Sequence, residues 1–147
     1  MILGRMSIYS VTRIVKLQDI DAAGIVFFPK FLEYCHDAYF EYLMKSGIDL
    51  PTSIPFGEYI LPLVHAEADF KGPLRFGDEI IVTIDNAIKN RSSYRVNYSV
   101  HKNDAQRTLC CVAQTVHAAI SRTSFSPLFE EKARLPCLST SILLENK

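Results

Sequence analysis

The chain has 147 residues, 48% of them apolar and 22% charged, with 16 basic side chains balanced by 16 acidic ones. That length suits one domain spanning 1–147 that buries a core without disulfide or metal staples, and that composition argues against disorder. Charge balance argues against a nucleic-acid partner, because a protein that tracks phosphates carries a positive excess or a basic stripe.

In chain order, residues 7–17 are rich in Ile, Val, Thr and Tyr and predict a first strand, and 18–24 break the pattern as a loop. From Pro29 to about Ser46, the residues Phe31, Leu32, Cys35, Ala38, Tyr39, Tyr42 and Leu43 recur at steps of three and four, which predicts an amphipathic helix. Pro29 suits its first turn and Gly47 the position just past its end. Residues 48–60, punctuated by Pro51, Pro55 and Gly57, are expected to be a crossing loop. Strands are expected at 61–71, 79–89, 92–102 and 107–122, separated by turn signals at Gly72-Pro73, Gly77-Asp78 and Asn103-Asp104. Ser126-Pro127 caps an expected short helix through Arg134, followed by a loose tail. The core of the domain is therefore about 8–122, with the short helix and tail over 123–147.

One strand, one long helix and four strands joined by short turns predict an α+β fold, an antiparallel five-stranded sheet packed on one helix. Such a sheet leaves edge strands, so edge-to-edge pairing into a homo-oligomer is expected. No apolar run reaches the ~20 residues that span a bilayer, so no membrane partner is expected. Residues 1–12 lack the pattern of a secretory leader, and a cytoplasmic location is the expectation. Cys35, Cys110, Cys111 and Cys137 have no C-x-x-C spacing, so reduced thiols are expected and neither a metal nor a cofactor.

The segment DIDAAGIVFFPKF at 19–31 places two acids and a glycine just ahead of the helix. An acid there can simply cap a turn by accepting backbone N–H bonds. Asp21, however, precedes Pro29 by eight residues, beyond N-cap reach, with the apolar run from Ile25 to Phe28 between. The alternative is chemical: unpaired N–H groups at a helix start polarise a carbonyl while Asp21 attacks it, or activates a water that does. A thioester suits that pair, because a thiolate leaves with little acid assistance. Cys35-His36 is a poor nucleophile and base, since adjacent helical side chains diverge by about 100°. His65, His101 and His117 fall on strands without ligand spacing, although His65 and Glu67 share a face and could line a pocket across a dimer interface. Lys89, Arg91, Ser92, Ser93 and Arg95 form a basic turn suited to phosphate oxygens, with a solvated charged turn as the plain alternative. Lys71 and Arg75 are weaker candidates for the same task.

The motifs DIDAAGIVFFPKF, CHDAY at 35–39, PLVHAEADF at 62–70 and PLRFGDEI at 73–80 together resemble the hotdog-fold acyl-CoA thioesterases of the 4-hydroxybenzoyl-CoA type over about residues 8–122. Within that family the pattern is most similar to the branch acting on 1,4-dihydroxy-2-naphthoyl-CoA in phylloquinone synthesis. The resemblance implies a curved sheet wrapped around the helix, dimers with a shared sheet assembled as dimers of dimers, and sites at subunit interfaces. It implies that Asp21 is the catalytic carboxylate, with Asp19 the lesser candidate, and that the backbone amide of Phe28 is the oxyanion donor. Gly24, Phe27 and Phe31 would meet a flat acyl group, and the basic turn would hold coenzyme A. One branch of the family has histidine where this chain has Phe28, so that branch's mechanism and aliphatic substrates do not carry over. A broad-specificity thioesterase, an acyl-thioester dehydratase or hydratase, and a non-catalytic acyl-CoA binding module remain alternatives. The lyase chemistry calls for a histidine in the helix-entry loop, where none occurs.

Overall fold

A computed structural model of the chain describes residues 7–127; beyond Pro127, the helix expected through Arg134 and the tail fall outside that span. The elements are β1 (Tyr9–Ile14), α1 (Pro29–Lys45), α2 (Leu50–Phe56), β2 (Tyr59–Ile60), β3 (Leu63–Phe70), β4 (Glu79–Lys89), β5 (Ser93–Lys102), β6 (Leu109–Ala118) and β7 (Ile120–Ser121). Five strands form one sheet in the order β1-β4-β5-β6-β3, and every pairing is antiparallel. α1 lies across it, which is the hotdog arrangement.

The helix forms where the three-and-four spacing put it. Phe31, Cys35, Ala38, Tyr39 and Leu43 are its buried residues, and they meet Val82, Ile84, Val96, Tyr98, Val100 and Cys111 from the sheet. Burying each large apolar side chain contributes about 2 kcal/mol. The helix ends where Gly47 takes φ +91 and Ile48 N–H donates to Leu43 O at 3.3 Å, a closure that glycine adopts without strain. A polar clamp holds the edge strand β1 against α1: Glu41 accepts from the Tyr9 hydroxyl at 2.8 Å, from Arg13, and pairs with Lys45 at 3.2 Å.

Three expectations are corrected. The loop over 48–60 contains α2, whose start is capped by Asp49 Oδ1 accepting from Thr52 N–H at 3.3 Å; Pro51 falls in its first turn, where proline costs nothing. The first strand is Tyr9–Ile14, shorter than 7–17. The last strand ends at Ala118, and Ile120–Ser121 turns away to pair with β2 in a separate two-stranded ribbon.

Register fixes which residues share an end of the sheet. Phe70 stands opposite Cys111, whereas Ser93 stands opposite Ala118. The run along β6 between those levels is about 23 Å at roughly 3.3 Å per residue. The start of α1 lies at the Phe70 end, where Phe31 meets Phe70, and Tyr39 lies at the other, stacked on His117.

Candidate active site

The connection from β1 to α1 is a miniature hairpin. After a 3-10 turn at Leu17–Asp19, Ile20 and Val26 bridge antiparallel. Asp21 N–H donates to Ile25 O at 2.9 Å and Phe27 N–H to Asp19 O at 2.8 Å. Gly24 N–H closes the tip on Asp21 O at 3.0 Å, and Gly24 adopts φ +80, where any side chain is strained. Val26 N–H anchors the stem on Leu74 O at 2.8 Å.

Asp21 is partly exposed at that tip. Its Oδ1 accepts from Ala23 N–H at 2.8 Å, so half of the carboxylate does serve its own turn, as the capping alternative expects. The same bond fixes the side chain, and Oδ2 has no hydrogen-bond partner among the described residues.

The helix starts immediately after the hairpin. Phe28 is the N-cap, with φ −52 and ψ −36, and Pro29 is the first helical residue. Proline has no N–H, and Lys30 and Phe31 donate back to Phe27 O and Phe28 O. The Phe28 N–H has no backbone acceptor among the described residues, which leaves a donor at the positive end of a 17-residue helix. Such a donor stabilises charge that develops on an oxygen held against it.

Aromatic rings flank this donor. Phe27 and Phe28 meet edge to face at 5.2 Å, Phe28 and Phe70 at 6.2 Å, and Phe31 and Phe70 at 5.3 Å. Phe31 is buried, while Phe27, Phe28 and Phe70 remain 46%, 60% and 49% exposed. Phe70 is not among the sequence-derived candidates.

Asp19 is buried, and its Oδ2 accepts from the Tyr34 hydroxyl at 2.7 Å and from Lys16 N–H at 3.2 Å. Lys30 Nζ lies 3.9 Å from Oδ1. Burial, then the Asp19 carboxylate, pushes the Tyr34 hydroxyl well above its ordinary pKa, so it stays a donor. Lys30 is held above its ordinary value, first by its bond to Glu33. Asp19 is thus committed to structure, and Asp21 is the acid with an unengaged oxygen.

Within one protomer the remaining candidates stay apart. His65 Nε2 lies 2.9 Å from Glu67 Oε2, with both side chains exposed. They alternate along β3 with Ala68, which packs on the core, so they face away from α1. The basic turn is closed by Asn90 N–H on Ser93 O at 2.8 Å and sits at the opposite end of the sheet from Asp21. Lys71 and Arg75, the weaker candidates, flank the Phe70 end. Cys35 is buried, with its thiol pushed up by burial, and the His36 ring packs on Phe40 at 4.4 Å. His117 is buried against Tyr39 and pushed below its ordinary pKa by that burial.

The sequence profile of the thioesterase-like superfamily matches residues 15–136. A 1,4-dihydroxy-2-naphthoyl-CoA hydrolase of Rippkaea orientalis is 41% identical over 110 residues, covering 75% of this chain and 80% of that protein. One from Crocosphaera subtropica is 36% identical over 119 residues, covering 78% and 87%. The crystal structure of a 1,4-dihydroxy-2-naphthoyl-CoA thioesterase from Synechocystis superposes with a TM-score of 0.82 at 30% identity, covering 95% of this chain and 98% of that one.

Proposed function

The chain belongs to the thioesterase-like superfamily, and from that premise we propose that it hydrolyses 1,4-dihydroxy-2-naphthoyl-CoA to 1,4-dihydroxy-2-naphthoate and coenzyme A, a step of phylloquinone synthesis. One observation carries the reading: a single hairpin presents the unengaged Oδ2 of Asp21 and leads directly into the unpaired N–H of Phe28. The relatives named for this substrate support the choice of acyl group, as do the exposed rings of Phe27, Phe28 and Phe70, which offer edges and faces to a flat bicyclic ring.

In this account the thioester carbonyl oxygen rests on the Phe28 N–H, with Phe31 behind it and Gly24 leaving the approach to Asp21 open. Asp21 adds to the carbonyl carbon, or takes a proton from a water that adds. The tetrahedral oxyanion is stabilised at the helix start, and collapse breaks the C–S bond. Coenzyme A departs as the thiolate and takes a proton from solvent. On the direct route, water then cleaves the mixed anhydride and frees Asp21; on the other, the acid forms in one addition. The route uses the Asp21 carboxylate, the Phe28 amide and water.

The phosphates of coenzyme A go to Lys89, Arg91, Ser92, Ser93 and Arg95, about 23 Å along the sheet from Phe70 in the same protomer. A second copy resolves that distance. β3 ends the sheet, and nearly all of its residues are exposed on both faces, the state of an edge that lacks its neighbour. A two-fold through Ala66 pairs β3 with itself, sets His65 of one copy opposite Glu67 of the other twice, and avoids placing Glu67 against Glu67. The same rotation brings the second copy's basic turn level with Phe70, three strand spacings or roughly 14 Å away. Each site then takes its acid and amide from one copy and its phosphate contacts from the other. The dimer of dimers implied by the family resemblance builds on this pair. Buried free thiols at Cys35, Cys110 and Cys111 suit a reducing compartment, which supports a cytoplasmic setting. No helix among the described residues is long and apolar enough to cross a membrane.

Thiol release from 1,4-dihydroxy-2-naphthoyl-CoA, benzoyl-CoA and octanoyl-CoA tests the reading. The expected order of kcat/KM is naphthoyl first, benzoyl next and octanoyl at least about 100-fold below naphthoyl. Equal turnover of all three would support a broad-specificity hydrolase, and tight binding without thiol release a binding module.

A further inference from the structure

The Asp19 carboxylate, two residues from Asp21, invites the role of a second catalytic acid, yet its position makes it a hinge pin. Its side chain accepts from Tyr34, on the second turn of α1, at 2.7 Å and from the Lys16 amide at 3.2 Å. Its backbone carbonyl accepts from the Phe27 amide at 2.8 Å, next to the Phe28 N–H. Its own chain continues through one residue to Asp21. Asp19 is therefore bonded to both arms of the hairpin, the arm that carries the acid and the arm that carries the oxyanion donor. From α1, the Tyr34 hydroxyl hydrogen-bonds Asp19 Oδ2, while Lys30 Nζ stands farther off, 3.9 Å from Oδ1.

We propose that Tyr34 is a positioning residue for thioester hydrolysis: by tying Asp19 to the helix, it sets where the Asp21 carboxylate stands relative to the Phe28 amide. This rests on the hydrolase function proposed above. Three features support it. Beyond Ile20, which packs on the core and bridges Val26, the acid arm has little to hold its tip, since Asp21, Ala22, Ala23 and Gly24 are all at least partly exposed. The Tyr34 hydroxyl is half-buried and donates to an ionised acceptor, a bond roughly twice as strong as a neutral one. Attack geometry is steep in distance, so a displacement of about 1 Å between acid and carbonyl costs on the order of 100-fold in rate. Tyr34 itself touches no reacting atom in this account, and its ring lies behind Phe31 at 6.4 Å between centroids.

The test compares Tyr34→Phe, Asp19→Asn, Asp19→Ala and the double variant Tyr34→Phe/Asp19→Ala, with Asp21→Asn as reference. The full-length protein is assayed for thiol release from an aryl-CoA, and backbone amide exchange is followed at Ala23 and Gly24. Tyr34→Phe is expected to lower kcat about 10- to 100-fold with KM within about twofold, and to speed exchange at both amides. Asp19→Asn keeps an oxygen acceptor and retains most of kcat. Asp19→Ala matches or exceeds the loss in Tyr34→Phe, and the double variant is no worse than Asp19→Ala, because both remove one link. An unchanged kcat and unchanged exchange in Tyr34→Phe would overturn the positioning role, as would losses that multiply in the double variant or a loss confined to thermal stability. If Asp21→Asn alone abolishes turnover while Tyr34→Phe is silent, the hydrolase reading stands and only the positioning role fails. If Asp21→Asn turns over normally, both fail.

Discussion

Phe28 and Phe70 meet edge to face with their ring centroids 6.2 Å apart, which fastens the entry of α1 to the last residue of the edge strand β3. The contact joins the proposed oxyanion donor to the strand whose free edge is proposed to pair with a second copy.

Phe70→Leu keeps an apolar side chain but removes the ring. Because Phe70 is 49% exposed, most of what is lost is an aromatic surface for the acyl group rather than buried core. The expected result is a fall of about 10-fold in kcat/KM for an aryl-CoA with little change for octanoyl-CoA, measured by thiol release. Equal losses for both would assign Phe70 to packing alone.

The clamp at Glu41 makes stability depend on acid pH. The Tyr9 hydroxyl first, then Arg13 and Lys45, lower the Glu41 pKa from 4.5 to about 2. A depressed folded-state value means that the contribution is complete above about pH 4.5 and is lost as pH falls from there toward 2. Urea midpoints across that range should fall for the parent chain, and Glu41→Gln should flatten part of the slope. An identical slope in the variant would show that the clamp contributes nothing, as many exposed pairs do.

Gly24 occupies φ +80 with open space around it, so Gly24→Ala is opposed by backbone strain and not by a clash. The expected cost is about 1 kcal/mol in urea unfolding. Because Gly24 N–H closes the turn on Asp21 O, kcat should fall with it. A fully stable and fully active variant would mean that the tip relaxes without disturbing Asp21.

Much of this architecture was legible in the residues. The helix from Pro29 was readable because Phe31, Cys35, Ala38, Tyr39 and Leu43 repeat at helical steps, and the strand alternation of Tyr94, Val96, Tyr98 and Val100 gave the buried face of β5. α2 is hidden in the sequence because Pro51 and Pro55 resemble loop punctuation, although Asp49 three residues ahead of Thr52 is an N-cap signal and Pro51 sits where a helix tolerates it. Asp21 stood out by its distance from the helix. The partnership of Asp19 with Tyr34 did not, since a bond between residues 15 positions apart leaves no periodic trace. The separation of the basic turn from Asp21 follows from the antiparallel register, which sets Ile14 opposite Glu79 at the start of β4 and the basic turn at its far end, and local pattern carries no information about strand pairing.

The proposed pairing of β3 makes a charge-swap prediction. His65→Glu sets a new carboxylate against Glu67 across the two-fold twice and should weaken self-association at least about 10-fold, as two opposed cross-strand pairs would. The exchange His65→Glu with Glu67→His restores opposite partners and should recover it. Sedimentation across a dilution series reads both. Association unmoved by either change would place the interface elsewhere.

The central claim is that the carboxylate at residue 21 attacks, or directs water to, a carbonyl held at the Phe28 amide. Asp21→Asn keeps the side chain's shape and its bond from Ala23 while removing the charge. With 1,4-dihydroxy-2-naphthoyl-CoA, single-turnover thiol release should slow on the order of 1,000-fold or more while Kd for the substrate stays within a few-fold. Release within a factor of three of the parent rate would contradict the account.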